Sequence, residues 1–386
     1  MEPIDPSKAN NLNSSAPPGS NSSIPANTAA TPNNPEYKNP FKPVPDLIQA
    51  LQEKGLIIED DDYPVIQQFF TEIGYFRFKT YLWHFYEEEP HTVLIEGKKL
   101  IPGSNKRETI TKEIVNYKKI SPFKLKQSTS FKDVLKLYQF DAYLRKIVFD
   151  AATCIEITAK SIISNTMCKH EGAHWYLIPS CFSSKYTRGK AKKKNSKAPG
   201  SYYQEFLHSL EKKCRRSAEP YFKDYRQRYR SPELPPSWLM MELISFGEAS
   251  SLFKNIASIE YRSEIASYFK SYDNIFRSWI GSVATVRNLC AHNQNLAGHK
   301  ILFPPSLPVG QNHELLVTLP QTDFIEEVID TRKLYATLCC LQSILDALNN
   351  PTKFKGSLLH AIDEYSVDLS LYGFTPNWRN EPLWQI

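Results

Sequence analysis

A chain of 386 residues, 41% hydrophobic and 12% aromatic, carries enough apolar material for a substantial core, which excludes a wholly disordered protein. No run of about 18 apolar residues occurs, and the first residues lack a charged stretch followed by an apolar one, so neither a membrane span nor a secretory signal is expected. The formal net charge of +6 is modest but unevenly spread.

Residues 1–43 are rich in Asn, Ser, Pro, Ala and Thr and hold few large apolar groups. Such a segment cannot offset its ordering entropy by burial, so a disordered tail is expected. Residues 44–128 read as an N-terminal helical region with an irregular insertion. The helix through Leu47, Ile48 and Leu51 should stop at Gly55, with Leu56 as the apolar residue of a Schellman-type end. A second helix should follow Asp62, with Pro64 in its first turn, and a third, aromatic one should start at Gly74. Residues 89–128 lose helical periodicity, and Val93 to Ile101 fits a small hairpin.

From Ser130, a plausible N-cap with Asp133 three positions on, apolar residues recur at helical spacing as far as about Met167, with a bend or break expected near Asp141. Further helices are expected over about 201–230, 236–256, 259–269, 273–292, 334–348 and 354–365, with Asp273 as the cap of the fourth. Residues 293–328 read as loop or short strand, broken by Pro304, Pro305, Pro308 and Gly310. The fold expectation is therefore all-α with minor β decoration.

Seven cysteines make an odd count without CxxC spacing, as expected of reduced thiols in a cytoplasmic protein. Cys168, His170, His174 and Cys181 are close in sequence but match no standard zinc spacing, so no metal and no cofactor are expected.

Between Lys185 and Arg230, fifteen Lys/Arg face four Asp/Glu, giving +11 and leaving −5 on the remainder. A basic block of this kind suits a polyanion, although Lys190 to Lys197 also fits a solvated loop. In the run from Lys212 to Arg230, cations alternate with Tyr221, Phe222, Tyr225 and Tyr229. Lys212, Lys213, Arg215, Arg216, Arg226, Arg228 and Arg230 are the candidate RNA-binding residues, since cations grip phosphate and rings stack on unpaired bases.

The segment Arg287-Asn288-Leu289-Cys290-Ala291-His292 carries the most chemistry. Asn288 and His292 are four apart and share a helix face, with Arg287 at its edge. Metal-free cleavage of an RNA phosphodiester needs a group that titrates near neutrality and a cation that holds the phosphate. Among nine histidines, this is the one preceded by Arg at five positions; such a pair arises by chance about one time in three, so the motif is weak alone.

The same segment resembles the RNxxAH signature of Abi-like proteins, the AbiD/AbiF group of bacterial abortive-infection factors, within the HEPN superfamily of helical ribonuclease domains. Other stretches agree in order: Gly55-Leu56-Ile57-Ile58, Gly74-Tyr75-Phe76-Arg77-Phe78, Leu137 to Arg145 with Ile155-Glu156, His174-Trp175-Tyr176-Leu177, Pro236-Ser237-Trp238, Glu242 to Gly247, and Trp378. Together they cover about residues 44–386. The tail, the Lys190 to Lys197 block and the stretch after His292 depart from the pattern.

The resemblance implies a HEPN-type helical bundle over 129–386 with extra N-terminal helices, and a metal-independent endoribonuclease of phage defence. His292 would be the general acid or base, Arg287 would bind the scissile phosphate, and Asn288 would fix their geometry. Since the chain has one motif, the resemblance implies a homodimer that pairs two copies, with RNA as substrate or as a structured regulator. Glu242 and Ser245 are candidates to support the motif. Asp141 and Arg145, at i, i+4, read first as a surface pair, and with Glu156 as a polar network packing the motif helix. Tyr75, Arg77 and Tyr81 fit either core or RNA contact. Two other readings stay open: a binding module that holds a structured RNA or a partner protein without cutting, and a nucleotide-binding or nucleotide-modified protein of the antitoxin type.

Overall fold

The chain's first helix ends as its glycine dictates. A computed structural model describes residues 40–100, 107–120, 123–189, 200–307, 329–348 and 353–385, with backbone alone for 91–100 and 107–116. Helix α1 (Val44–Gln52) closes where Gly55 takes a φ of +91°, its N–H bonding the Gln52 carbonyl at 2.8 Å and that of Leu56 the Leu51 carbonyl at 3.0 Å. That bond pair is the Schellman end, with Leu56 buried beneath it. Helix α2 (Tyr63–Phe69) has Pro64 in its first turn, and α3 (Tyr75–Leu82) follows a π turn over Phe70–Gly74. Phe69, Phe70 and Phe78 pack edge to face, and Phe78 stacks on Phe131 at 5.6 Å.

The irregular insertion is a two-stranded antiparallel ribbon, β1 (Glu88–Leu100) on β2 (Arg107–Lys119), with Glu88 opposite Lys119 and Leu100 opposite Arg107. It is longer than the expected hairpin, and nearly all of the Val93 to Ile101 stretch is a single arm of it.

Helix α4 (Phe131–Glu171) runs 41 residues without interruption. Ser130 and Asp133 form its capping box. The expected break at Asp141 is absent. A helix-interior Asp unsettles its helix by competing for nearby backbone donors; here the Asp141 carboxylate is occupied by donors from distant segments, so that competition does not arise.

After α5 (Ser184–Arg188), two expected helices are each divided in two. Residues 201–230 form α6 (Tyr202–Arg216) and α7 (Pro220–Arg228), because Pro220 has no N–H to continue the ladder and starts a new helix instead. Residues 236–256 form α8 (Ser237–Leu243) and α9 (Phe246–Asn255), because Ser245 and Glu248 make a capping box that starts a new helix. Then come α10 (Ile259–Ser267), α11 (Asp273–Ala291), α12 (Leu334–Ala347) and α13 (Phe354–Tyr365). Tyr272, not Asp273, occupies the N-cap position of α11; Asp273 lies inside the first turn and pairs with Arg262 at 3.0 Å and Arg277 at 3.4 Å.

Helix α4 is the spine, packed by α3, α8, α9, α10, α11, α12 and α13. The described residues from Val44 onward share one core, while residues 1–39 of the expected tail (1–43), the Lys190 to Lys197 block and residues 308–328 lie outside the described residues. The architecture is an all-α bundle with minor β decoration. Among the described residues, no helix is long and apolar enough to cross a membrane.

Candidate active site

Helix α11 buries Phe276, Ile280, Val283, Val286 and Cys290, an i, i+3, i+4 stripe that presses it onto the core. The next positions round the helix, Arg287 and Asn288, are thereby half-buried at the edge of the stripe. Burial pushes the Cys290 thiol up to about 12, so it is no thiolate nucleophile.

The motif ends on a second Schellman turn. Asn293 takes the left-handed conformation at φ +52°; its N–H bonds the Cys290 carbonyl at 3.0 Å, and the Gln294 N–H bonds the Leu289 carbonyl at 2.9 Å. Asn is the common substitute for Gly at this position. The turn puts His292 at the C-cap of α11, exposed to solvent. Arg77 of α3 donates to the Asn293 carbonyl, pinning the turn from outside.

Arg287 is held on three sides. Its guanidinium pairs with Glu156 at 3.0 Å, donates to Asn288 Oδ1 at 3.2 Å, and lies 5.6 Å from the centre of the Phe149 ring. Glu156 is buried and also pairs with Lys160 at 2.8 Å. With 27% of its side chain exposed, Arg287 keeps part of its guanidinium within reach of an anion, while its Nε is buried. Glu156, placed in a polar network by sequence, is thus the partner that orients the motif cation.

Asp141 and Arg145 are a buried pair, which corrects the surface-pair reading. The Asp141 carboxylate accepts from Tyr81 Oη at 2.8 Å, Tyr372 Oη at 3.0 Å, the Leu296 N–H at 3.1 Å and the Ala297 N–H at 3.0 Å, besides Arg145. Tyr81 belongs to the core and also accepts from Arg145 at 2.9 Å. Tyr75 is half-buried against Phe70. This network anchors the chain just past the motif.

Ser245 caps α9: its Oγ accepts from the Glu248 N–H at 3.3 Å and donates to Glu248 at 2.8 Å. Helix α9 runs antiparallel to α11, with Phe253 on Phe276 and Ser250 beside Gly281, which carries Ser245 toward the motif end. Glu242 is exposed on α8.

Four of the seven basic candidates are engaged within the chain. Lys213 pairs with Glu248 at 2.5 Å, Arg215 with Glu211 at 2.6 Å and Arg228 with Asp224 at 2.6 Å, while Arg226 donates to the Cys214 carbonyl. Lys212, Arg216 and Arg230 are exposed. Of the interleaved rings, Phe222 and Tyr225 are core, Tyr225 donating to the carbonyls of Pro232 and Leu234, and Tyr221 and Tyr229 are exposed. The stacking face is therefore half as aromatic as its sequence suggests.

His170 pairs with Glu264 at 2.7 Å and stacks on Tyr261 at 4.4 Å, and burial lowers the pKa of His174, which lies 3.4 Å from Tyr225 Oη. Among the described residues, no group of three or more His, Cys, Asp or Glu is arranged to hold a metal ion.

A family model described as Abi-like protein matches residues 68–297, from α2 through α11 and the turn after His292. No curated protein and no solved structure matches the chain. The matched span takes in both anchors of the motif, Asp141 and Glu156, as well as the motif itself, and on that match the chain belongs to the Abi-like, abortive-infection-type family.

Proposed function

We propose that the protein is a metal-independent endoribonuclease of abortive infection that cleaves RNA through Arg287, Asn288 and His292. One observation carries the reading: an exposed imidazole ends the same helix that, five residues earlier, holds a guanidinium oriented by Glu156 and Asn288. His292 moves a proton at the 2′-OH or the leaving 5′-oxygen. Arg287 offers its free N–H groups to the scissile phosphate and counters the charge that builds there. Transfer of the 2′-oxygen to phosphorus with loss of the 5′-oxygen leaves a 2′,3′-cyclic phosphate and a 5′-hydroxyl.

Acid and base are both required, and one motif supplies one imidazole. A homodimer that brings two α11 ends together provides the second. Sedimentation of the purified protein tests this, since a strict monomer that cleaves would remove it.

The deciding experiment incubates purified protein with labelled RNA in EDTA. Cleavage that vanishes in both His292→Ala and Arg287→Ala supports the reading. Cleavage that needs a divalent ion, or that survives both substitutions, defeats it, and RNA retained without products would instead make the protein a binding module.

A further inference from the structure

Beside the motif lies a cleft of about 470 Å³ that the reading above leaves unused. One wall is α3 with the short 3-10 turn Trp83–Phe85 that extends it, and the other is the loop from Asn295 to Lys300. The two walls are tied at the motif itself, where Arg77 of α3 donates to the Asn293 carbonyl, one residue past His292. The cleft therefore begins where the motif ends.

Its chemistry is uniform. Lys79 and Lys300 line it, and no Asp or Glu does. Lys79 sits 5.7 Å from the Phe76 ring centre, and Phe76 is 78% exposed, an unusual fraction for a phenylalanine flanked by core helices. Trp83 is 44% exposed on the same side. His84 from one wall and His299 from the other also line it, and burial lowers the pKa of both. His84 Nε2 is buried and uncommitted. The floor is fitted closely: Gly298 lies at φ +67°, and a Cβ there would meet His84 at 2.6 Å.

The geometry points to this cleft as a binding site for one nucleotide of single-stranded RNA next to the bond held by the motif, with Lys79 and Lys300 on its phosphate and the exposed rings of Phe76 and Trp83 on its base. The inference rests on the ribonuclease reading for the register of the strand, and on the cleft alone for the ligand. Cations without competing carboxylates select a polyanion, and solvent-exposed rings select an unstacked base over a duplex. The cleft volume accommodates a nucleotide.

The test uses the full chain with His292→Ala, so that RNA is held uncut, and a labelled single-stranded RNA of ten nucleotides in EDTA at about 0.1 M salt. Adding Lys79→Ala with Lys300→Ala should weaken binding at least about tenfold and flatten the log–log salt dependence by about 0.7, the value for one neutralised phosphate on a single strand. Adding Phe76→Ala should weaken it at least about fivefold with no change in salt dependence. A duplex of the same sequence should bind more weakly than the single strand. Because the three side chains line an open cleft, their loss should leave the thermal melting point unchanged, which checks that the fold survives. Affinities within twofold of the His292→Ala parent, or equal affinity for duplex, would overturn the inference, as would a parent that binds no RNA. Wild-type cleavage is scored separately. A cleft that binds in a protein that does not cut removes the nuclease reading alone, and cutting with unaltered binding in the cleft variants removes the cleft alone.

Discussion

Asp141 and Leu296 stand 155 positions apart, yet both carboxylate oxygens of Asp141 lie 3.1 Å from the Leu296 N–H. The same carboxylate takes the Ala297 N–H, two tyrosine hydroxyls and Arg145, so a fully buried anion organises the loop that leaves the motif. Asp141→Ala should cost about 3–5 kcal/mol, because it strands the Arg145 charge and two backbone donors in the interior. Urea unfolding measures the loss, and amide exchange at Leu296 and Ala297 should speed up with it. A change under 1 kcal/mol would show that the loop does not depend on this anion.

His292 is the converse case. It is exposed at a helix end, so His292→Ala should shift unfolding free energy by no more than about 0.5 kcal/mol. The same substitution should lower RNA cleavage by about 10²–10⁴-fold, the usual loss for a general acid or base. Arg287→Lys keeps the charge but loses the fork that reaches both Glu156 and Asn288, and should retain less than about a tenth of the rate. Rates come from gel-resolved RNA digestion and stabilities from denaturant melts of the same preparations.

Gly298→Ala should destabilise the protein by about 1–3 kcal/mol. Its φ of +67° disfavours any side chain, and the new methyl would overlap the His84 ring, which the turn cannot yield without moving the Asp141-bound amides beside it. Thermal melting reports it, and an unchanged melting point would mean that the loop relaxes freely.

Stability should fall as pH drops below about 6.5, the ordinary histidine value. Burial, with help from Lys119, lowers the pKa of His84, and burial lowers that of His299. The unfolded chain therefore binds protons there first, and the folded state loses ground from about pH 6.5 down to the depressed folded values. Glu248 adds a second loss at lower pH: burial works to raise its carboxyl, but Lys213 and the Ser245 N–H outweigh this and hold it below the usual range. Its contribution is complete above the ordinary glutamate value and disappears as pH falls through the depressed folded one. Urea midpoints at pH 7.5 and 5.5 check the first step, and His84→Gln should shrink the difference between them.

Local signals in the sequence mark several helix ends that the structure makes. Gly55 with Leu56, Pro64, and Ser130 with Asp133 each mark an end that the backbone then makes. The divisions at Pro220 and at Ser245 with Glu248 follow the same rules, but continuous apolar periodicity on either side masked them. Asp141 shows the opposite limit. Its i, i+4 spacing to Arg145 is visible, but its burial depends on Tyr81, Tyr372 and residues 296–297, which no pattern within one helix can bring together. The motif was legible because one helix carries it whole, whereas its orienting Glu156 lies on another helix and the cleft is assembled from segments more than 200 positions apart.

At about 1.5 Å per residue, the 41-residue helix α4 is a rod of roughly 60 Å. It grips the guanidinium end of the motif through Glu156 and the loop beyond the imidazole through Asp141, stations fifteen residues apart on one rigid ruler. A single residue inserted between those stations would rotate one grip by about 100° relative to the other, so the motif turn is calibrated by the uninterrupted winding of a helix that carries none of the motif's residues.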